Sequence, residues 1–286
     1  MAFTFGQLRR KFAPGIRSLF ERCRPLRVIA VRLLSWRQKG RLTRCGMSFV
    51  LPSGDFGVTL EAESTGSYEP VTTNLIESLL SSGMTFIDIG AHVGLFAIPA
   101  TQWVGRSGKV IAFEPHPKNF DLLLNNLKIN QVEEEVTAIQ SAISNKTQSM
   151  DLYTCSFNTG DHQLYPSSTR DKISVPCTTL DDFFPSGTQV DLVKMDVQGA
   201  EGFAFEGMRR LLEENKAIQI IWELSPQQLL NSGYSASKVL DYLDSLDFSS
   251  TLIDDVTGEV IPVSREELLI RCPKDSYINI LSSRHG

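Results

Sequence analysis

A glycine turn that closely follows an acidic residue is the first segment of this sequence whose residue types could do chemistry. Met84–Ile89 is a short, mostly apolar run that contains Asp88, and Gly90 and Gly94 follow in Asp-x-Gly-x-x-x-Gly spacing. Such a run fits a buried parallel strand, and a strand, a tight turn and a helix start form a hollow lined with backbone N–H groups. The spacing is neither the dinucleotide fingerprint nor a phosphate loop, so it predicts another ligand site or only a sharp turn.

A second acid, Glu114, stands directly after the next predicted strand, Lys109–Phe113. An acid about 20 residues beyond a glycine turn, at the end of the neighbouring strand, is placed to accept both hydroxyls of a ribose. The glycine turn alone, or the strand-end acid alone, has an ordinary structural explanation. The two together are a more specific sign of a ligand site than either one. Together they predict a ligand that contains adenosine.

Further acids end two later predicted strands. Asp196 follows Leu192–Met195 and precedes a second glycine turn with Glu201, and Glu223 follows Ala217–Trp222. Carboxylates gathered at one edge of a sheet repel one another and lose solvation, and a cationic ligand relieves both costs. S-adenosyl-L-methionine carries a sulfonium and an ammonium, whereas the phosphates of NAD would add repulsion. We therefore expect S-adenosyl-L-methionine as the cofactor, with an NAD(P)-dependent oxidoreductase as the weaker alternative.

Strand-like and helix-like segments alternate from residue 84 onward, which is typical of a parallel sheet with helices on both faces. The pattern predicts an α/β, doubly wound, Rossmann-like fold that binds ligands beyond the carboxyl ends of its strands. A helix and three strands are predicted after residue 235. The predicted elements before them are strands Thr85–Asp88, Lys109–Phe113, Val136–Ala142, Leu192–Met195 and Ala217–Trp222, and helices Leu95–Trp103, Asn119–Asn130 and Glu201–Glu214.

Two segments depart from this alternation. Residues 45–83 are predicted as a hairpin, with strands Ser48–Leu51 and Gly57–Leu60, and a lead-in helix. Residues 147–184 are predicted as a β insertion whose two strands flank a polar loop. The remaining residues, 84–286, form the main predicted domain.

The composition describes a chain with a sizeable core and no disulfide framework. It has 286 residues, of which 42% are hydrophobic and 21% charged, enough for one large α/β domain with additions or for two small domains. Its five cysteines are scattered without Cys-x-x-Cys spacing, which argues for a reducing compartment and against structural zinc. No run approaches the ~18 apolar residues of a membrane span. We expect a cytoplasmic protein without a metal site.

The first 44 residues form a basic arm. They carry twelve Lys and Arg against one acid, Glu21, while the whole chain has 28 basic and 33 acidic residues, so the body is acidic. Apolar residues recur in the arm at helical spacing, broken at Pro14 and Pro25. The arm could lie peripherally on an anionic membrane, or its apolar stripe could pack on the body. A signal peptide is disfavoured because arginines interrupt any apolar core, and no aromatic stacking motif supports RNA binding.

Several motifs in fixed order resemble those of FkbM-type methyltransferases, over roughly residues 65–225. The family consists of S-adenosylmethionine-dependent enzymes that methylate hydroxyl groups on polyketides and sugars. The resemblance implies a class I methyltransferase fold with a mostly parallel, seven-stranded sheet. The motifs are Phe86–Gly94, Ala112–Pro117 with Asn119-Phe120, Thr178–Asp182 and Lys194–Glu201.

The resemblance also implies roles for individual residues. The glycine turn would line the methionine part of the cofactor, Glu114 would hold the ribose, and Ser141-Ala142 would lie beside adenine. Asp196 would sit near the transferring methyl, and Gln198 stands where the family commonly has an acid. The cofactor-binding residues implied are Asp88, Gly90, His92, Gly94, Glu114, Pro115, Ser141, Ala142 and Asp196.

Methyl transfer to a hydroxyl calls for a base, because a neutral hydroxyl is a poor nucleophile. His162 on the inserted loop is the first candidate, since histidine titrates near neutral pH, and Asp196 is the second, with Glu223 close by. A solvated loop histidine is the ordinary alternative. The expected substrate-binding residues are Tyr68, Glu69, Asn158, Asp161 and Glu201.

The sequence therefore predicts an S-adenosylmethionine-dependent methyltransferase, with O-methylation of a hydroxyl on a sugar, glycolipid or polyketide-like small molecule. We expect a small-molecule acceptor and no nucleic acid partner. The alternative from another class is a non-catalytic Rossmann-like binding protein that docks through its basic arm.

Overall fold

The computed structural model has the α/β architecture that the alternating pattern predicts. It describes Leu19 and residues 23–254 and 257–284, so the part of the arm's predicted apolar stripe before Leu19, together with Phe20, lies outside the described residues. The strands are β1 (Arg41–Arg44), β2 (Met47–Val50), β3 (Thr85–Ile89), β4 (Lys109–Phe113), β5 (Val136–Ile139), β6 (Ala142–Ile143), β7 (Gln148–Thr154), β8 (Asp171–Thr178), β9 (Leu192–Met195), β10 (Gln219–Leu224), β11 (Phe248–Asp254), β12 (Glu259–Val263) and β13 (Ile278–Arg284). The helices are α1 (Arg24–Arg37), α2 (Val58–Thr65), α3 (Pro70–Leu79), α4 (Ala97–Val104), α5 (Pro117–Asn130), α6 (Leu180–Phe183), α7 (Glu201–Glu206), α8 (Arg209–Glu214), α9 (Pro226–Ser232), α10 (Ala236–Asp244) and α11 (Arg265–Arg271).

The main sheet has eight strands in the order β12-β11-β13-β10-β9-β3-β4-β5. Strands β10, β9, β3, β4 and β5 run parallel, and β13, β11 and β12 add antiparallel pairs at one side. The predicted count of seven strands is wrong by one, because the hairpin partner β12 extends the edge. The parallel strands bring their carboxyl ends to one rim, where such folds bind ligands.

The central strand β3 is buried along its whole length, which explains its nearly continuous apolar sequence. Successive side chains point to opposite faces of a sheet. Phe86 accordingly packs with Leu123 of α5 in one core cluster, and Ile87 packs with Trp222 in the other. The sheet is therefore covered by hydrophobic contacts on both faces, and its rim is held rigidly.

The predicted hairpin between residues 45 and 60 is wrong in its second strand. The hairpin pairs Arg41–Arg44 with Met47–Val50, and Gly57–Leu60 instead enters helix α2. The cause is a helix cap, because Oδ2 of Asp55 accepts a hydrogen bond of 2.7 Å from the N–H of Thr59. A side chain that satisfies such an N–H group stabilises a helix start.

The predicted helix over residues 201–214 is divided into α7 and α8. The Asp181 carboxylate accepts hydrogen bonds of 2.8 Å from the N–H of Arg210 and 2.9 Å from that of Leu211, which caps α8. At the break, a Cβ on Gly207 would lie 2.0 Å from the carbonyl oxygen of Ser144. Because Gly207 has no side chain, the chain that follows β6 can pass close to the break between α7 and α8.

The predicted strand Val136–Ala142 is also divided, because the chain leaves the main sheet after Ile139. Ala142-Ile143 pairs with β8 in a separate three-stranded sheet of order β6-β8-β7. This small sheet is the predicted β insertion. It carries the loop of residues 155–170 between β7 and β8, called the inserted loop below.

Helix α1 packs on the inserted loop through one side only. Ala30 and Val31 contact a small cluster formed by Cys155 and Phe157. In the described part of the chain, no helix combines the length and apolar character needed to cross a bilayer.

Gly90→Ala should destabilise the fold more than Gly187→Ala. Both glycines have left-handed backbones, with φ of +79° and +81°, so both variants share a strain of about 1–2 kcal/mol. A Cβ at Gly90 would lie 2.1 Å from the carbonyl oxygen of Asp196, whereas one at Gly187 would have nothing within 4 Å. Urea unfolding should therefore show a loss of at least about 3 kcal/mol for Gly90→Ala and about 1 kcal/mol for Gly187→Ala. Equal losses would contradict the close approach.

Candidate active site

A pocket of about 780 Å³, including its open mouth, lies at the carboxyl ends of β3, β4 and β9. The turns after β3 and β4 form one wall, and the inserted loop forms part of another. The predicted site residues that line it are Tyr68, Gly90, His92, Glu114, Pro115, Ser141, Ala142, His162 and Asp196. The predicted site residues outside its lining are Glu69, Asp88, Gly94, Asn158, Asp161, Glu201 and Glu223.

The strand-end carboxylates share one rim, as the sequence predicts. Adjacent strands β10, β9, β3 and β4 carry Glu223, Asp196, Asp88 and Glu114 in that order. Burial raises the pKa of Asp88 to about 6 and that of Glu114 to about 7. Repulsion from the neighbouring carboxylate adds to both shifts. The rim is therefore costly to charge fully, and a cationic ligand would favour the charged forms of these carboxylates.

Asp88 and Gly94 lie behind the pocket wall. Oδ2 of Asp88 accepts a hydrogen bond of 3.1 Å from the N–H of Ala97, the first residue of α4. A Cβ on Gly94, whose φ is +89°, would lie 2.8 Å from Leu123 of α5. The structure thus gives Asp88 a helix-holding contact and Gly94 a packing contact, and their predicted contacts with the cofactor stay predictions.

Glu114 is fixed by two backbone N–H groups. Its Oε2 accepts a bond of 2.9 Å from the N–H of His92, and its Oε1 accepts one of 2.9 Å from the N–H of His116. Asn119 Nδ2 donates a longer bond of 3.4 Å to Oε1. A carboxylate has about four lone-pair positions, so these three bonds leave one position free, on Oε2, and a second opens on Oε1 if a ligand displaces the long bond from Asn119. Glu114 can therefore accept from a ligand hydroxyl, and its predicted contact with the ribose stays a prediction.

Lys194 is the cation that the rim encloses. Its Nζ lies 3.7 Å from Oδ2 of Asp196 and 4.8 Å from the centre of the Phe96 ring. Burial lowers the pKa of Lys194, but the carboxylates of Asp196 and Asp88 raise it by more. Lys194 therefore stays protonated and offsets part of the negative charge at this end of the pocket.

Glu201 and Glu223 lie on the far side of Asp196. Oε1 of Glu201 accepts from the N–H of Gly199 at 3.3 Å, so it holds the second glycine turn, and burial raises its pKa to about 7. Burial, reinforced by repulsion from Asp196, raises the pKa of Glu223 well above its usual range. Near neutral pH Glu201 therefore carries less than its full charge, and burial favours the neutral form of Glu223 as well.

The inserted loop is held against the pocket by Asp55. Oδ1 of Asp55 accepts bonds of 2.7 Å from the N–H of Thr159 and 3.1 Å from its hydroxyl. Asn119 Nδ2 donates to the Thr159 carbonyl at 3.0 Å. The loop is thus tied both to the segment before α2 and to the helix that follows Glu114.

The Thr159 hydroxyl also fixes the protonation of His92. Since it donates to Asp55, it accepts from His92 Nε2, 2.9 Å away, so Nε2 of His92 carries the proton. Burial lowers the pKa of His92 to about 3, which keeps the ring neutral.

His162 is held in the opposite tautomer to the one that a base requires. Its Nδ1 accepts a hydrogen bond of 3.0 Å from the N–H of Cys155, so the proton of the neutral ring lies on Nε2. Its ring also packs against that of His116, with centroids 4.2 Å apart and the ring planes tilted by 39°. Burial lowers the pKa of His162 well below its usual range, and the neighbouring histidines add to the shift. His162 is therefore a neutral hydrogen-bond donor at Nε2.

The remaining predicted substrate-binding residues have protein partners. Asp161 is buried and forms an ion pair of 2.8 Å with Arg170, also buried, which closes the inserted loop on itself. Oδ1 of Asn158 accepts from the N–H of Gly160 at 3.2 Å. Glu69 accepts a bond of 3.4 Å from Asn279 beside β10. These contacts explain the three side chains as parts of the scaffold, and their contacts with a substrate stay predictions.

The site contains residues that sequence reasoning did not single out. Asp55, Thr159 and Lys194 were not among the predicted site residues, and Asn119 was quoted only within a motif. Lys194 lies in the motif next to Asp196 and could have been found from its place in a buried strand. Asp55 offered no signal, because its role depends on a partner 104 residues away.

The residues present fit S-adenosylmethionine. Oε2 of Glu114 keeps a lone pair for a hydroxyl, and Ala142, Ile143 and Leu164 provide an apolar surface that suits an adenine ring. Nε2 of His162 is a buried donor without a hydrogen-bond partner among the described residues. The acidic rim suits a cation at the other end.

Comparisons with known proteins give the family. The FkbM methyltransferase domain matches residues 88–250, more than half of the chain. The methyltransferase sdnD of Sordaria araneosa is 27% identical over 161 residues, which cover 45% of this chain and 62% of that protein. The tRNA (guanine(37)-N(1))-methyltransferase of Danio rerio is 42% identical over 62 residues, which cover 22% of this chain and 12% of that protein. The matched part thus spans less than two thirds of either relative.

Solved structures of similar fold include two methyltransferases. One is a SAM-dependent O-methyltransferase from Thermotoga maritima, with a TM-score of 0.42, 17% identity, and coverage of 79% of this chain and 70% of that one. The other is precorrin-6y C5,15-methyltransferase from Geobacter metallireducens, with a TM-score of 0.41, 15% identity, and coverage of 75% and 87%.

The domain match confirms the resemblance that the ordered motifs predict, and with it S-adenosylmethionine as the cofactor. The chain belongs to the FkbM methyltransferase family.

Proposed function

We propose that this protein methylates a hydroxyl group on a neutral small molecule, such as a sugar, a glycolipid or a polyketide-like compound. The observation that carries the proposal is the position of Asp196. Apart from Glu114, it is the one carboxylate that lines the pocket in the described part of the chain. A carboxylate at this point can take the proton of an acceptor hydroxyl.

S-adenosylmethionine, when bound, supplies a methyl carbon made electrophilic by its sulfonium. In our proposal Glu114 accepts the ribose hydroxyls, and Ala142 and Leu164 contact adenine. The backbone around Gly90 lies next to Asp196 because glycine permits their close approach. The glycine turn would therefore hold the cofactor beside the proton acceptor.

Asp196 is the proposed general base. Its Oδ1 accepts a bond of 2.7 Å from Gln198 Nε2, and Lys194 lies 3.7 Å from its Oδ2. These contacts hold the carboxylate in place while its side chain remains 21% exposed toward the pocket. A base positioned in this way contributes about 10²–10⁴-fold to the rate of proton transfer reactions.

The histidines of the pocket are poorer bases. A base needs a free lone pair, and that of His162 Nδ1 is used by the N–H of Cys155. His92 has a free Nδ1, but with a pKa of about 3 it binds a proton too weakly. The proposal therefore moves the role of base from His162 to Asp196.

The pocket wall favours a neutral acceptor. Tyr68 and Phe96 form an aromatic pair with ring centroids 6.2 Å apart, a surface that suits the apolar face of a sugar or polyketide ring. Lys194 is the one Lys or Arg in the lining of the described pocket, and Asp196 pairs with it. A nucleic acid would require further cations to neutralise its phosphates.

Glu114→Gln should weaken binding of S-adenosylmethionine by roughly 10- to 100-fold, because hydrogen bonds to a charged acceptor are worth about 1.5–3 kcal/mol. Isothermal titration calorimetry measures the change. Glu201→Gln is the matched control, since Glu201 is equally buried and also accepts from backbone N–H groups but lies outside the pocket lining. Unchanged affinity in Glu114→Gln would refute the ribose assignment.

Cofactor affinity should fall as the pH drops below about 7. The pKa of Glu114 in the free protein is raised to about 7, so below that pH its carboxyl is mostly protonated and loses acceptor capacity. Affinity should then decrease by up to about tenfold per pH unit, since binding must release one proton. Titrations across this range in Glu114→Gln should show a flatter profile, and an equally steep profile in that variant would assign the dependence to another group.

Asp196→Asn should reduce methyl transfer by about 10²–10⁴-fold, because the amide keeps the size of the carboxylate but cannot take a proton. His162→Asn should keep the maximal rate within a few-fold, because its amide oxygen can replace Nδ1 as acceptor for Cys155. Transfer of labelled methyl groups to the small-molecule fraction of a cell extract, at saturating cofactor, measures both. The reverse result, with His162→Asn inactive and Asp196→Asn active, would return the role of base to the histidine.

A further inference from the structure

Helix α1 exposes a stripe of large apolar side chains. Leu26, Ile29, Leu33 and Trp36 recur at spacings of three and four residues, so they lie on one side of the helix, called the α1 outer face below. Their exposed fractions are 40%, 58%, 59% and 87%. Large apolar side chains exposed as a contiguous group mark interaction surfaces more often than single ones do.

The opposite side of α1 is already occupied. Ala30 and Val31 pack on Cys155 and Phe157 of the inserted loop, and Gly54 approaches so closely that a Cβ there would lie 2.8 Å from Val31. The outer face therefore cannot turn inward without breaking these contacts. It is directed away from the body by the packing of the other side.

The charged residues of α1 itself are all basic. Helix α1 contains no acid, and Arg32, Arg37, Lys39 and Arg41 are exposed on it or just beyond it. The arm to which it belongs has twelve basic residues and one acid. An apolar stripe flanked by cations is complementary to a surface that has anionic groups on the outside and an apolar layer beneath them.

An anionic bilayer matches this surface better than the other occupants do. A second copy of α1 would bring two basic helices together without a counter-charge. Nucleic acid would satisfy the cations but leave the apolar stripe in water. In a bilayer the apolar side chains enter the acyl region, the cations meet lipid phosphates, and an indole ring is favoured at the boundary.

We propose that the α1 outer face docks on an anionic phospholipid bilayer and so brings the inserted loop to the membrane surface. The connection runs from Gln38, directly after α1, to the pocket. Gln38 Nε2 donates to the carbonyl of Asp55 at 2.7 Å, and Oδ1 of Asp55 accepts from the N–H of Thr159 at 2.7 Å. Thr159 lines the pocket. The docking does not depend on the identity of the methyl acceptor.

Co-sedimentation of the full chain with vesicles tests the proposal. Binding should be strong with phosphatidylcholine vesicles that contain phosphatidylglycerol, weak with phosphatidylcholine alone, and reduced by salt. The double variant Leu33→Ser/Trp36→Ser should lower partitioning by at least about tenfold, because it removes much of the buried apolar area. Arg32→Gln/Arg37→Gln should lower it for the anionic vesicles only.

Leu230→Ser/Ile270→Ser is the matched control, since both residues are exposed apolar side chains outside the arm, at 49% and 79%. It should leave partitioning unchanged, and all variants should keep the melting temperature and cofactor affinity of the parent. Addition of vesicles should shift the tryptophan emission of the parent protein to shorter wavelength, because Trp36 enters the bilayer. The emission of Trp36→Phe should not shift. Absence of binding to anionic vesicles, a dimer that Leu33→Ser/Trp36→Ser dissociates, or RNA binding that needs the outer face would each overturn the proposal.

Discussion

Buried negative charge at one rim of the sheet is the constraint on which the rest of this protein depends. Parallel strands bring their final residues together, and here those residues are acids. Three of the buried carboxylates, Asp88, Glu114 and Glu201, accept hydrogen bonds from backbone N–H groups. Lys194 offsets the charge of Asp88 and Asp196 without cancelling that of the whole rim. The glycine turns are thus shaped as much by the carboxylates they hold as by the ligand they would bind.

The pocket is completed by segments that lie outside the matched family domain. That domain begins at residue 88, yet Val58 and Tyr68 line the pocket and Asp55 anchors the inserted loop. Within the matched domain, Glu114 and Asp196 provide the groups that a cofactor and a proton transfer would use. The segment before residue 88 and the inserted loop therefore together form a wall of the pocket that the matched domain does not form alone.

The inserted loop contacts residues of the pocket on one side and helix α1 on the other. On one side Thr159 contacts His92 at the pocket and Asp55 behind it, and on the other side Phe157 contacts helix α1. Asp161 and Arg170 join the two ends of the loop in a buried ion pair. If α1 docks as proposed, the loop would lie between the bilayer and the pocket.

The sequence alone determined the parallel strands, the two glycine turns and the position of Glu114 at a strand end, because these follow from local periodicity and from residues at strand ends. Only the tertiary structure decided that the N–H of Cys155 occupies Nδ1 of His162, and that Asp55 holds Thr159 from 104 residues away. It also decided that Gly57–Leu60 is helical rather than extended. The physical reason is the same in each case: hydrogen-bond partners distant in sequence select the tautomer, the anchor or the backbone conformation, and no local pattern records them.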